Sequence, residues 1–295
     1  MKTKLITLLS ALLFLMGGLS LPVAGQTARD IMLKVEKVTQ ESSTSAIQKM
    51  KLSTCKYGKK KKKIVCIEKP RVKVIESIQK DMGPSGKDTY GVSIILEPIG
   101  EKGIGMLSYD YDAADKDADT WLYLSALGKV KRMISSSEDS GESGSFFGTE
   151  FSVEDMESSK IDDYKYKMIK QTSYRKRPVW IVESVPTPQR MRKTRYGKVV
   201  TWVDRERFIV LKVHLYNRHG KPHKRLSMRD IKLIDNVWVA RKMSMNNLIS
   251  RRVTHMRLYA IAFNIDVPDA FLTQRTLTDF AFRERELGKL RKHIK

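Results

Sequence analysis

The chain has 295 residues, 30% of them charged, with a formal charge of +23 and only two cysteines. No Pro/Gly/Ser-rich linker separates two halves, which favours one large domain over two smaller ones. In a cytosolic protein such basicity would point first to nucleic acid, but the N-terminus argues against that compartment.

Lys2 and Lys4 precede an apolar run, Leu5–Met16, and Val23-Ala24-Gly25 puts small residues where a signal peptidase cuts. The run is short for a membrane span. Residues 1–25 therefore read as a cleaved secretory signal, with Gln26 the mature start and 26–295 the folded domain. No cysteine follows the cut, so no lipid anchor is expected there and the mature protein should be soluble in the periplasm. Loss of Lys2 and Lys4 lowers the charge from +23 to +21. Outside the cytoplasm the polyanion to expect is an anionic membrane surface, which attracts each Lys or Arg by about 1 kcal/mol at close range.

Ala28–Thr39 places Ala28, Ile31, Met32, Val35 and Val38 at helical spacing and predicts an amphipathic helix. From Ala46 onward the texture becomes short alternating runs broken by turn residues: Ala46–Cys55, Ile64–Gln79, Tyr90–Glu97, Gly103–Tyr111, Thr120–Leu124 and Lys129–Ile134. After a Ser/Gly/acid-rich loop, Ser135–Gly144, the runs resume at Tyr164–Thr172, Pro178–Val185, Lys198–Val203, Phe208–Tyr216, Lys224–Ile234, Val237–Met245 and Arg251–Ile261. So many consecutive strands with short links predict an antiparallel meander curling into a barrel or half-barrel. Helix is scarce beyond the first: a turn after Ser152, capped with Asp155, and a tail near Leu277–Lys292.

Phe208–Tyr216 is apolar on both faces, so helices or a ligand must cover the second face. The small supply of helix leaves room for a greasy cavity. Trp121, Tyr123, Phe147, Phe151, Trp202, Val210 and Met228 are the candidates to line it, being large and apolar on two-sided strands or beside the Ser/Gly loop. That loop, ending in Phe146-Phe147, reads either as an ordinary closure over a core or as a rim that moves when cargo is taken up.

Cys55 and Cys66 flank the basic turn Tyr57–Lys63, so a hairpin there would leave them either bridged or as two reduced strand cysteines. Asp115, Asp117 and Asp119 have the spacing that opens a calcium loop, but Thr120 and Ala126 stand where Gly and a bidentate Glu are needed. His219 and His223 lack an evident third ligand. No nucleophile elbow, phosphate-cradling glycine loop, zincin motif or CxxC is present, so neither catalysis, a metal nor a cofactor is expected.

Four blocks carry a family likeness: WLYLSALGKVKRM (121–133), SGSFFGTEFSVEDM (143–156), RKMSMNNL (241–248) and DAFLTQRTL (269–277). In this order they resemble the outer-membrane lipoprotein-sorting protein family, and within it the TP-0789-like branch, related to LolA and LolB. The chain departs from that pattern at Ser125, Thr149-Glu150 and Arg251-Arg252. The resemblance implies a curved, incompletely closed antiparallel β-barrel wrapped over a few helices and enclosing a hydrophobic cavity for acyl chains, without catalysis. It also implies two classes of partner, a lipid or lipoprotein cargo and an inner-membrane exporter of the resistance-nodulation-division type. A cargo-free adaptor of such an exporter is the alternative reading.

Overall fold

A computed structural model describes residues 26–61, 63–113, 116–133, 144–158 and 160–294. The proposed signal, Asp115 and nearly all of the Ser/Gly loop lie outside them. The chain opens with helix α1 (Ala28–Gln40) and continues into β1 (Ser45–Lys60), β2 (Lys63–Cys66), β3 (Arg71–Met82), β4 (Asp88–Glu97), β5 (Gly105–Asp110), β6 (Asp119–Leu124) and β7 (Lys129–Met133). After the crossing segment come β8 (Tyr164–Tyr174), β9 (Arg177–Pro186), helix α2 (Pro188–Lys193), β10 (Tyr196–Asp204), β11 (Val210–Asn217), β12 (Pro222–Ile234), β13 (Val237–Asn247) and β14 (Arg252–Phe263). Helices α3 (Gln274–Thr278) and α4 (Phe280–Leu290) close the chain.

All the strands belong to one antiparallel sheet of order β7-β6-β5-β4-β3-β1-β14-β13-β12-β11-β10-β9-β8, with β2 attached to β1 alone. β7 and β8 are its two free edges, so the sheet is not closed. β1 is the spine: β3 pairs with it on one side and β14 on the other. Opposite β1, Lys49 pairs with Ala260 and Met50 with Leu258, leaving Tyr259 as an extra residue in β14. A bulge of this kind bends the strand and increases the local twist.

The two faces carry different packing. On the outer side of β3–β5, Ile78, Val92, Ile94 and Leu107 meet Phe271, Leu272, Leu277, Phe282 and Leu287 of the C-terminal segment. Strands apolar on both sides are explained here by helices, since α3 and α4 cover one face while the other faces inward. α1 covers the inner face of the opposite half, where Ala28, Ile31 and Val35 pack on Trp180, Val182 and Val203. Its start is fixed by a reciprocal cap: the Asp30 N–H donates to the Thr27 hydroxyl and the Thr27 N–H to the Asp30 carboxylate, both at 3.1 Å.

Three local readings change. The single run expected over Ile64–Gln79 is two strands, because Pro70 has no N–H to give a ladder. Phe208 does not belong to β11: it takes φ 53° and turns its ring to 5.6 Å from Trp180. Helix α2 was not expected; Thr187 caps it and Pro188 occupies its first turn. Cys55 and Cys66 form a disulfide that staples β2 to β1.

Candidate functional site

A cleft runs between α1 and the inner face of the sheet, in three adjoining lobes. The first, about 440 Å³, is walled by Val210, Met228, Met243, Met256, Leu258 and Ile261, with Val38 of α1 above. The second, about 530 Å³, shares Val210 and Met228 and continues along Val213, Leu215, Leu226 and Met245 to Met32 and Val35 of α1. Both sizes fall in the range of small-molecule sites, roughly 300–1,000 Å³. Several walls are methionine, whose flexible thioether adapts to irregular apolar contacts. The third lobe, about 320 Å³, lies over β3–β6 and is lined largely by hydroxyl and amide side chains, among them Gln48, Ser77, Ser93, Ser108 and Thr120. It joins the first lobe at Gln48 and Met50, and the second at Met156 and Glu157.

Between edges β7 and β8 the chain crosses the inner face, and its described part, from Gly144, forms the floor of this cleft. Phe146, Phe147, Phe151 and Val153 are buried against Met50, Leu52, Met245 and Met256. Polar anchors hold the segment at successive points. The Glu150 N–H donates to the Thr254 hydroxyl at 2.9 Å, and Arg252 Nε to the Glu150 carboxylate at 3.1 Å. Asp155 accepts from Lys224 Nζ at 2.6 Å, the Tyr196 hydroxyl at 2.6 Å and the Ser152 N–H at 2.8 Å. Burial alone would raise the Asp155 carboxyl, but Lys224 and these donors hold it below the usual range. The Ser152 N–H does donate to Asp155, but the single turn at Glu154–Met156 starts from Val153 without a side-chain cap, so the expected cap by Ser152 is not formed.

Glu154 and Glu157 meet Arg190 at the end of the second lobe. Glu154 accepts from the Thr194 hydroxyl and lies 3.5 Å from Arg190 Nη2, yet burial still raises its carboxyl. Glu157 is 3.9 Å from the same guanidinium, and burial pushes its carboxyl up to about 7. Nearby, Asp119 accepts from the Tyr111 hydroxyl at 3.0 Å and pairs with Arg132. Among the described residues no group of three or more His, Cys, Asp or Glu is disposed to hold a metal.

Of the residues singled out from sequence, Val210 and Met228 are brought together on the cleft wall. Phe147 and Phe151 are buried in the core beneath it, while Phe146 lines the third lobe. Trp121 and Tyr123 pack on the outer side with Tyr109, under the C-terminal helices. Trp202 also faces outward, its ring 4.7 Å from His214 and 4.3 Å from Lys212 Nζ. Beyond Met228, the cleft methionines were not singled out as lining; the alternation Met243, Met245 on one strand is the signal that could have found them, given the inward side of β13.

A family model described as an uncharacterized protein matches residues 87–279. No curated protein matches the chain. Among solved structures, a DUF1329 family protein from Desulfovibrio piger superposes with TM-score 0.74 at 22% identity, covering 85% of this chain and 97% of its own. A domain assigned to outer membrane lipoprotein sorting, from Vibrio parahaemolyticus, gives TM-score 0.73 at 25% identity over 85% of this chain and 98% of its own. A LolA superfamily protein from Nitrosomonas europaea gives 0.60 at 17% identity over 84% and 97%. The family match spans most of the sequence, so the chain belongs to the family of that model, and its open antiparallel sheet has the fold of the lipoprotein-sorting and LolA superfamily structures.

Proposed function

We propose that the protein is a periplasmic carrier that shields the acyl chains of a lipid or lipoprotein from water on the way to the outer membrane, without catalysing a reaction. The carrying observation is the pair of apolar lobes between α1 and β11–β14, walled by Val210, Met228, Met243 and Met256. Each methylene moved from water into such a site contributes about 0.8 kcal/mol, so six of them supply about 5 kcal/mol. The leader-like residues 1–25 support export. No helix among the described residues is long and apolar enough to cross a membrane.

Delivery requires contact with a bilayer, and the outer face of β11–β14 supplies a fitting surface. Arg229, Lys242 and Arg257 follow one another across it by strand register, and Lys212 and Arg225 stand on the same face opposite Ser227 and His214. Trp202 and His214 lie among them. Burial, then Lys212 and Arg225, push the His214 imidazole down to about 4, so it stays neutral among these cations at physiological pH.

The test is to purify the exported protein, extract it with organic solvent and identify lipids by mass spectrometry, alongside titration with the neutral apolar probe N-phenyl-1-naphthylamine. A lipid enriched over a control protein, displaced by the probe, is expected. An empty extract together with no probe binding would overturn the reading, and co-purification of an exporter in that case would favour the adaptor.

A further inference from the structure

The inner face changes chemistry halfway across the sheet. On β1 and β3–β6 the inward positions form two largely polar rows by register: Gln48, Ser77 and Ser93, ending on Met106, in one, and Gln79, Gly91, Ser108 and Thr120 in the next. One step along the same face the row is Met50, Ile75 and Ile95, which is apolar and buried. A sheet that only needed a core would continue the apolar row, because a buried hydroxyl costs free energy unless it is hydrogen-bonded. The Ser77 and Ser93 hydroxyls lie 2.7 Å apart, and the Ser108 hydroxyl donates to the Gly91 carbonyl at 3.5 Å. A hydroxyl has one donor and two acceptor positions, so each retains capacity toward a ligand.

Gly91 adds an independent observation. Its φ is not in the left-handed region, and a Cβ placed there would make ordinary contacts, 3.4 Å to Ser108 Oγ and 3.5 Å to the Ile78 carbonyl. The backbone therefore does not require glycine at this position. Gly91 lines the lobe, and glycine leaves to the lobe the volume that a larger side chain would take.

The lobe also has a sign. Asp81, Asp110 and Glu157 line it, against Lys87 as the one basic residue among the described residues that do. Burial lifts the Asp81 carboxyl to about 6, with the Thr89 hydroxyl its hydrogen-bond partner at 3.4 Å, so it is charged at pH 7.5. In a chain of formal charge +23, acid collected inside and base outside is a separation with consequences for a ligand. A phosphate placed here would meet carboxylates across a short, poorly screened distance.

We propose that this third lobe is a head-group subsite for amphiphiles bearing an uncharged, hydroxyl-rich head, and that it discriminates against phosphate-bearing heads. The inference rests on the carrier reading, since the acyl chain occupies the adjoining apolar lobes and the head reaches the hydroxyl rows past Gln48 and Met50. Selectivity comes from two sources, hydrogen bonds offered by Ser77, Ser93, Ser108 and Thr120, and repulsion by Asp81 and Asp110.

The test titrates the full mature chain at pH 7.5 with a monoacylglycerol and a lysophosphatidic acid of identical acyl chain, each by displacement of N-phenyl-1-naphthylamine. The monoacylglycerol should bind at least about tenfold more tightly, the scale of one or two hydrogen bonds plus a like-charge contact. Gly91→Leu, which fills the lobe, should bring the two lipids within about twofold while leaving probe binding unchanged. Ser77→Ala with Ser93→Ala removes a mutually bonded pair and should weaken the monoacylglycerol several-fold with the fold intact. Failure of the probe to bind, together with an empty lipid extract, would overturn the carrier reading itself. Probe binding with equal affinity for the two lipids, tighter binding of the phosphate lipid, or a preference that survives both variants would overturn the head-group subsite and leave the carrier standing.

Discussion

Two neighbouring acids in the crossing segment show how partners, not depth alone, set ionisation. Asp155 has an ammonium at 2.6 Å and two further donors, and is held ionised. Glu157, two residues on, has a guanidinium at 3.9 Å, and among the described residues one of its buried carboxylate oxygens finds no hydrogen-bond partner. Its carboxyl sits near 7 in the folded protein against an ordinary 4.5. The folded state therefore prefers the protonated form: this contribution to stability is complete below about pH 4.5 and is lost as pH rises through 7. Glu157→Gln should accordingly raise stability at pH 8 by about 1–2 kcal/mol and change little at pH 4. Urea unfolding followed by tryptophan fluorescence at the two pH values checks this; an equal effect at both would assign the gain to packing instead.

At the scale of elements, the strands were legible because alternation survives wherever one face is wet, as along β14, where Met256 and Leu258 are buried and His255 and Arg257 exposed. Helix α1 was legible from its apolar stripe. What could not be read was which face of each strand turns inward, since a period of two is satisfied equally by either side. Trp121 and Trp202 are large and apolar in two-sided runs, yet both belong to the outer side, the first under the C-terminal helices and the second under Lys212. Only long-range packing decides that. The pairing of Cys55 with Cys66 depended on hairpin geometry that the basic turn made plausible but did not determine. The bridge closes a short loop around a turn rich in lysine, where repulsion opposes pairing of the two strands. Replacing both cysteines by serine should lower stability by about 2–3 kcal/mol, the chain-entropy scale for a loop with sequence separation 11. Denaturation of the variant against the oxidised parent measures it, and a loss confined to hydrogen exchange in β2 would show that the bridge serves the hairpin alone.

For the whole molecule, charge is sorted between inside and outside. The third lobe gathers carboxylates, whereas the outer face of β11–β14 gathers Lys212, Arg225, Arg229, Lys242 and Arg257. Burial first, then repulsion by the neighbouring Arg225 and Arg175, holds the Lys212 ammonium below its usual range, although Lys242 has Asp230 at 3.5 Å. Bringing them to an anionic surface relieves that repulsion. Lys212→Glu with Arg225→Glu and Arg229→Glu should weaken co-sedimentation with phosphatidylglycerol vesicles by about a hundredfold or more at low salt, taking about 1 kcal/mol per cation. Uptake of N-phenyl-1-naphthylamine from solution should be unaffected, because none of the three lines the cleft.

The central position of β1 also bears on how the chain comes to be folded at all. Ala46, near the start, finds its neighbour in Phe263, near the end, and β1 keeps a bare hydrogen-bonding edge until β14 arrives. Contacts this distant in sequence close slowly, because the loop entropy is lost before the pairing is gained. A growing chain that has emerged only as far as β13 can build hairpins but not the spine. Threading through a translocon in an extended state, with assembly deferred until the last strand is released, is compatible with that order of events. A truncation just before β14 would accordingly yield two unjoined meanders with exposed edges, prone to pair with other copies rather than with each other.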